Sequence, residues 1–103
     1  MYKLYMDFST PSHNGFTIYS KSGCINCVKA KRFLHDKQLL YKVVNCDEYI
    51  IEDKPAFLYF MNTISGTNVV SFPMIFCDNK FIGGFVETIV FTNKLLLDIN
   101  DTF

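Results

Sequence analysis

Two cysteines, Cys24 and Cys27, stand where the chain changes its hydrophobic period. Ahead of them Phe16–Ser20 is short and β-rich, and it runs directly into Lys21-Ser-Gly. Behind them Cys27, Ala30, Phe33 and Leu34 fall on one helical stripe, with Lys29, Lys31 and Arg32 off it. His35 and Lys37 suit the negative end of that helix. Tyr41–Cys46 then predicts a second strand. Strands joined by a helical crossover are parallel, so this stretch is a βαβ unit with the cysteine pair at its first strand-to-helix junction. Few architectures accommodate such a junction.

The rest of the chain extends the pattern. Asp53 is a helix cap with Pro55 in the first turn, and Phe57, Phe60, Met61 and Ile64 continue the stripe until Ser65-Gly66 stops it. Phe72–Cys77 is an apolar run, Asp78-Asn79 a tight two-residue turn, and Lys80–Gly83 the returning strand of a hairpin. Val86, Ile89, Val90, Asn93 and Leu97 form a last helical stripe. The predicted order is β-α-β-α-β-β-α, an α/β fold with a mixed four-stranded sheet flanked by helices. Residues 1–15 end in the turn-forming cluster Ser9-Thr-Pro-Ser-His-Asn-Gly15 and constitute an N-terminal extension, either an added strand or a frayed arm. The domain proper is expected to span 16–103.

Composition narrows the function. Lys+Arg and Asp+Glu balance at 10 each, so the electrostatic footprint of a nucleic-acid binder is missing. No run approaches the roughly 18 apolar residues of a membrane span, and the start has no signal-peptide h-region. The expectation is a soluble, unprocessed, cytoplasmic protein. Its 11 Phe and 6 Tyr can build a core without staples. In a reducing compartment the four cysteines are then catalytic, metal-binding or merely buried.

Spacing and context favour redox chemistry for the first pair. Helix N-terminal amides stabilise an anion and Lys21 adds a nearby positive charge, so a Cys24 thiolate is favoured, while Cys27, one turn inside, is the resolving thiol. Lowering a thiol pKa from ~8.5 by about three gains roughly thirtyfold in thiolate at pH 7, but a Brønsted coefficient of ~0.4–0.5 removes a similar factor in nucleophilicity. The net gain is a better leaving group, which favours turnover of mixed disulfides. Cys46 and Cys77 sit near strand ends among apolar residues and read as small core hydrophobes. A zinc site would need all four thiols, and the second pair lacks knuckle spacing. His13 and His35 read as exposed, and the basic residues of the first helix as a solvated face or an attractor of anionic thiols. The Phe72-Pro73 bond can form a fixed kink beside the cysteines, with its isomer left open.

In order, Tyr19-Ser-Lys21, Cys24-x-x-Cys27 with Ala30-Lys31 and Phe33-Leu34, Phe72-Pro-Met-Ile-Phe76 and Phe81-Ile-Gly-Gly84 resemble a glutaredoxin of the thioredoxin fold, from about Phe16 onward. The resemblance implies a glutathione-dependent thiol–disulfide oxidoreductase in which Cys24 forms a mixed disulfide with glutathione and Cys27 resolves protein disulfides. It further implies that Lys21 holds the glycine carboxylate of glutathione. Phe72, before a cis Pro73, would pair its backbone with the tripeptide's cysteine, and Gly84, Phe85 and Val86 would cradle the γ-glutamyl end. Implied partners are glutathione and proteins bearing disulfides or glutathionylated cysteines, with the chain a monomer that contacts neither nucleic acid nor membrane. The chain departs from many relatives in carrying Ile25-Asn26 where they carry Pro-Tyr, and Val86 where they carry a side-chain oxygen. Two other functions stay open. One is a carrier of a [2Fe–2S] cluster held by Cys24 of each of two subunits and two glutathiones; the other is a thioredoxin-fold adaptor without turnover.

Overall fold

The computed structural model describes residues 7–101, with side chains to Asp98. Its elements are β1 (Phe16–Ser20), α1 (Ile25–Asp36), β2 (Tyr41–Asn45), α2 (Asp47–Ser65), β3 (Met74–Cys77), β4 (Lys80–Gly83) and α3 (Phe85–Asp101). The sheet order is β2-β1-β3-β4, with β1 parallel to β2, antiparallel to β3, and β3 antiparallel to β4. This is the mixed four-stranded sheet of a thioredoxin-like fold, in the order that periodicity predicts.

Side chains alternate across the two central strands, as strand geometry requires. Phe16 and Ile18 of β1 and Ile75 and Cys77 of β3 pack with Ala30 and Leu34 of α1. On the opposite face Tyr19, Met74 and Phe76 pack with Phe57 and Met61 of α2. Two cores therefore sandwich the sheet, and Cys46 and Cys77 are buried in them as expected of small hydrophobes. Burial pushes the Cys46 thiol up to about 12 and the Cys77 thiol up to about 11.

The hairpin turn at Asp78-Asn79 has φ of 51° and 71°, both in the left-handed region that a two-residue turn of matching twist demands. Asp78 Oδ1 accepts the Gly15 amide proton at 2.7 Å and Asp78 N–H donates to Gly15 O at 2.9 Å, so the turn is tied to the start of β1. At Gly15, with φ of +82°, a Cβ would lie 2.8 Å from Leu40 O, a contact only glycine avoids.

Three expectations need correction. The Asp53 cap is present, its Oδ1 accepting from Ala56 N–H at 3.1 Å, but α2 begins earlier, at Asp47, and kinks at Asp53, whose φ of −161° is extended. Asp47 and Glu48, acids in a first turn, favour the added segment. Phe72 and Pro73 stand outside β3, consistent with the missing proline N–H. The third correction concerns α3, where three members of the predicted stripe face solvent, Val86 and Val90 each 64% exposed and Leu97 61%, while Ile89 is partly buried. Thr88 and Thr92 are buried instead. The helix is phased by rings on either side of them, Phe85 against Phe33 and Phe91 against Phe16, with centroids 6.5 and 6.1 Å apart. Thr88 Oγ1 donates to Gly84 O at 2.8 Å, which lets a hydroxyl be buried without penalty.

Residues 7–15 contain no strand. They are pinned to the domain: Tyr19 Oη donates to Ser9 O at 2.7 Å, Ser9 N–H to Tyr49 Oη at 3.1 Å, and Ser12 N–H to Thr17 Oγ1 at 2.9 Å. Burial, with Cys46 and Tyr49 close by, drives the Tyr19 hydroxyl pKa upward, which keeps this donor protonated. Phe8 packs its ring against Tyr49, Phe57 and Phe60 at 4.9, 5.7 and 5.0 Å between centroids. Whether residues 1–6 supply an added strand lies outside the described residues.

Candidate active site

β1 delivers the chain into a three-residue loop, Lys21–Gly23, and Gly23 turns it with φ of +72°. Cys24 follows as the N-cap of α1, in extended conformation at φ −112° and ψ 106°. In this position its Sγ accepts the Cys27 amide proton at 3.1 Å, where a serine or aspartate oxygen commonly sits in a helix cap. The helix thus aims a backbone donor at the sulfur. Cys24 is half-buried while Cys27 is fully buried one turn inside. Burial, and then the hydrogen bond with Cys24, raises the Cys27 thiol above its ordinary range, against opposing hydrogen bonds from Lys21 and Ser20. Two thiols in one helical turn therefore differ in access, and the inner one is held protonated.

A residue that sequence patterns did not single out fixes this loop. Asp47, first residue of α2, accepts both the Ser22 amide, at 2.9 Å, and the Ser22 hydroxyl. These bonds, the hydroxyl first, hold the Asp47 carboxyl below the usual carboxylate range, with the Lys21 charge contributing. A depressed folded pKa means that the clamp is intact above the ordinary carboxylate pKa and is lost as pH falls through the lowered value. Next to it Cys46 N–H donates to Ser20 O at 2.8 Å, extending the β1–β2 pairing to the loop. No local signal reveals the contact, because Ser22 and Asp47 are 25 residues apart.

Opposite the loop, the Phe72-Pro73 peptide bond is cis. The Phe72 ring stacks on Phe57 with centroids 6.1 Å apart and planes 5° from parallel, and Lys21 Nζ lies 5.8 Å from its centroid. At the start of α3, Gly83 has φ of +135°, and a Cβ there would fall 2.8 Å from Glu87 Cβ. Glu87 folds back so that its Oε1 accepts Gly84 N–H at 2.9 Å, one half of a capping box. Thr88 N–H donates to Gly84 O at 3.1 Å.

Phe72, Pro73, Gly84, Phe85 and Val86, together with Asn26, line one groove of about 510 Å³. Lys21 does not join them: it lines a second cavity of about 660 Å³ on the other side of Phe72. The two share Val70, Ser71 and Phe72. Cys24 itself lines neither of the two. Among the described residues no group of three or more His, Cys, Asp or Glu side chains is placed to hold a metal ion, and no helix is long and apolar enough to cross a membrane.

With this geometry in place, the chain can be set beside known proteins. The sequence pattern of the family described as Glutaredoxin matches residues 16–82. Mitochondrial glutaredoxin-2 of Bos taurus is 37% identical over 79 residues, which are 77% of this chain and 48% of that protein. The chain spans about half the length of such mitochondrial relatives. Among solved structures, glutaredoxin 1 from Francisella tularensis complexed with cacodylate superposes with a TM-score of 0.69 at 29% identity, over 79% of this chain and 94% of that one. A buckwheat glutaredoxin–glutathione complex shares the fold, with a TM-score of 0.63 at 22% identity over 79% and 70% of the two chains.

Proposed function

The chain belongs to the glutaredoxin family, and on that premise we propose that it is a thiol–disulfide oxidoreductase that draws electrons from glutathione to reduce protein disulfides and glutathione mixed disulfides. The observation that carries this reading is the split between the two thiols of one helical turn. Cys24 is half-buried with an amide donor on its Sγ, and Cys27 is buried with a raised pKa. The redox domain is assigned to residues 16–103, with 1–15 an added segment, working in a reducing compartment such as the cytoplasm.

In the monothiol route the Cys24 thiolate attacks the glutathione sulfur of a glutathionylated protein. The old S–S bond breaks and the protein thiolate leaves with the electron pair. A second glutathione thiolate attacks the glutathione sulfur now on Cys24, releasing oxidised glutathione and restoring the Cys24 thiolate. In the dithiol route Cys24 attacks a protein disulfide, and Cys27, losing its proton as it attacks Cys24 Sγ, closes the Cys24–Cys27 disulfide and frees the second protein thiol. Two glutathiones then reduce that disulfide. Glutathione is assigned to the groove, its cysteine paired with the Phe72 backbone before Pro73, its γ-glutamyl end at Gly84, Phe85 and Val86 and its glycine carboxylate towards Lys21. Main-chain contacts suit such a ligand because they do not depend on its side chains. The buckwheat relative, solved as a complex with glutathione, supports the ligand class. Glutathione-coupled reduction of hydroxyethyl disulfide by metal-free protein tests the proposal: sustained turnover is expected, and an inactive folded protein overturns it.

One observation also favours the cluster-carrier reading. Of the four cysteines, Cys24 alone is not buried, so it is the thiol able to reach a [2Fe–2S] cluster shared with a second chain and two glutathiones. Anaerobic reconstitution with glutathione should then give a brown dimer, and a colourless monomer rejects this reading.

A further inference from the structure

The cavity on the Lys21 side of Phe72 is larger than the proposed tripeptide requires. Under that proposal only a terminal glycine enters it, yet its volume of about 660 Å³ falls within the roughly 300–1,000 Å³ typical of an entire small-ligand site. Beyond Lys21, already assigned to the glycine carboxylate, it offers a second lysine and aliphatic surface that a terminal glycine does not use. Lys21 and Lys54 both line it, and Ile50, Ile51, Leu58 and Val70 give it aliphatic surface. Ile51 is 81% exposed and Val70 72%, so this surface is open to an incoming chain. The acid in the lining, Asp47, stays ionised with both carboxylate oxygens accepting from Ser22, so the two lysines leave the wall with a net single positive charge.

The direction of a bound peptide supplies the occupant. A thiol peptide whose carboxyl end points towards Lys21 runs, beyond its reacting cysteine, into this cavity. Glutathione ends there, but a protein substrate continues. We propose that the cavity lined by Lys21, Lys54, Ile50, Ile51 and Val70 is a subsite for the one or two residues that follow the reacting cysteine of a protein substrate, and that it selects an acidic residue there. The inference rests on the proposed placement of glutathione and extends it to the protein substrate class. Charge complementarity carries it, since the two lysines outweigh Asp47 and favour a Glu or Asp over a Lys, and the aliphatic wall accepts the methylene stem of either.

A single-turnover assay on the Cys27→Ser variant tests this. The substrates are two short peptides, Ala-Ala-Cys-Glu-Ala and Ala-Ala-Cys-Lys-Ala, each carried as a mixed disulfide with 2-thiopyridine. The Cys24 thiolate attacks the peptide sulfur, the peptide–pyridyl S–S bond breaks, and 2-thiopyridine leaves with the electron pair to take up a proton as the coloured thione. Each rate is divided by that for the neutral hydroxyethyl pyridyl disulfide on the same variant. The Glu peptide should react about tenfold faster than the Lys peptide at low salt, and the preference should shrink as salt screens it. Adding Lys54→Gln should reduce the ratio, and Lys54→Glu should bring it to one or below. A ratio near one without Lys54 substitution, or one unmoved by both substitutions, overturns the subsite. Loss of reaction with the neutral disulfide as well overturns the underlying assignment of Cys24, and the subsite with it.

Discussion

Cys24→Ser is expected to lose glutathione-coupled turnover by roughly a thousandfold or more, because a serine hydroxyl is neither ionised near neutral pH nor able to carry the mixed disulfide. Cys27→Ser should behave differently. It keeps the sulfur at the N-cap and the amide of residue 27 that donates to it at 3.1 Å, since that donor is backbone. Removal of glutathione from a model protein should therefore persist, while reduction of a protein disulfide stalls with the substrate held on Cys24, visible as a covalent adduct by mass spectrometry. The pH profile adds a further readout. Burial first, and then Cys24, holds the Cys27 thiol above the ordinary range, so Cys27 is still gaining thiolate as pH rises through neutrality. Resolution by Cys27 should accelerate with pH over that range in the unsubstituted protein and be missing in Cys27→Ser. Full activity in Cys24→Ser would reject the assignment of the nucleophile.

Much of this arrangement is legible in the sequence, for identifiable physical reasons. β1, α1 and the Asp78-Asn79 hairpin follow from local periodicity and from a turn whose positive φ values those two residues tolerate. The unequal roles of Cys24 and Cys27 follow from their places before and inside a helical turn. The phase of α3 does not follow, because a count of apolar residues favours Val86, Val90 and Leu97 over Thr88 and Thr92. What decides it is tertiary: Phe85 meets Phe33, Phe91 meets Phe16, and Gly84 O satisfies the Thr88 hydroxyl. The Asp47–Ser22 clamp is hidden for a similar reason, since it joins residues distant in sequence across parallel strands. Asp53 marks a helix start correctly, but the segment Asp47–Glu52 that precedes it reaches Ser22 and brings Tyr49 to Phe8. The position of Lys21 across Phe72 from Gly84 likewise required the fold, and it is what exposes Lys54 as a neighbour of the site.

Phe57→Ala is expected to produce the largest loss of stability, about 3–5 kcal/mol, from the removal of a fully buried aromatic side chain and the cavity it leaves. Against the roughly 5–15 kcal/mol that stabilises a domain of ordinary size, this is a large fraction, and urea unfolding will register it as a lowered midpoint. Its effect should reach the thiol site through a continuous run of rings. Phe8 lies 5.7 Å from Phe57, Tyr49 5.5 Å from it, and Phe72 stacks on it at 6.1 Å, with Lys21 Nζ 5.8 Å from the Phe72 ring. Phe8→Ala removes only the outermost ring and should cost about 1–2 kcal/mol, which measures what residues 7–15 contribute by docking on α2. Phe57→Leu separates packing from orientation. It restores most of the buried volume but not the flat surface on which Phe72 rests, so stability should largely recover while KM for glutathione stays raised and kcat changes little. Equal recovery of both quantities would mean that Phe72 is held by its own backbone at Pro73 and not by the ring beneath it.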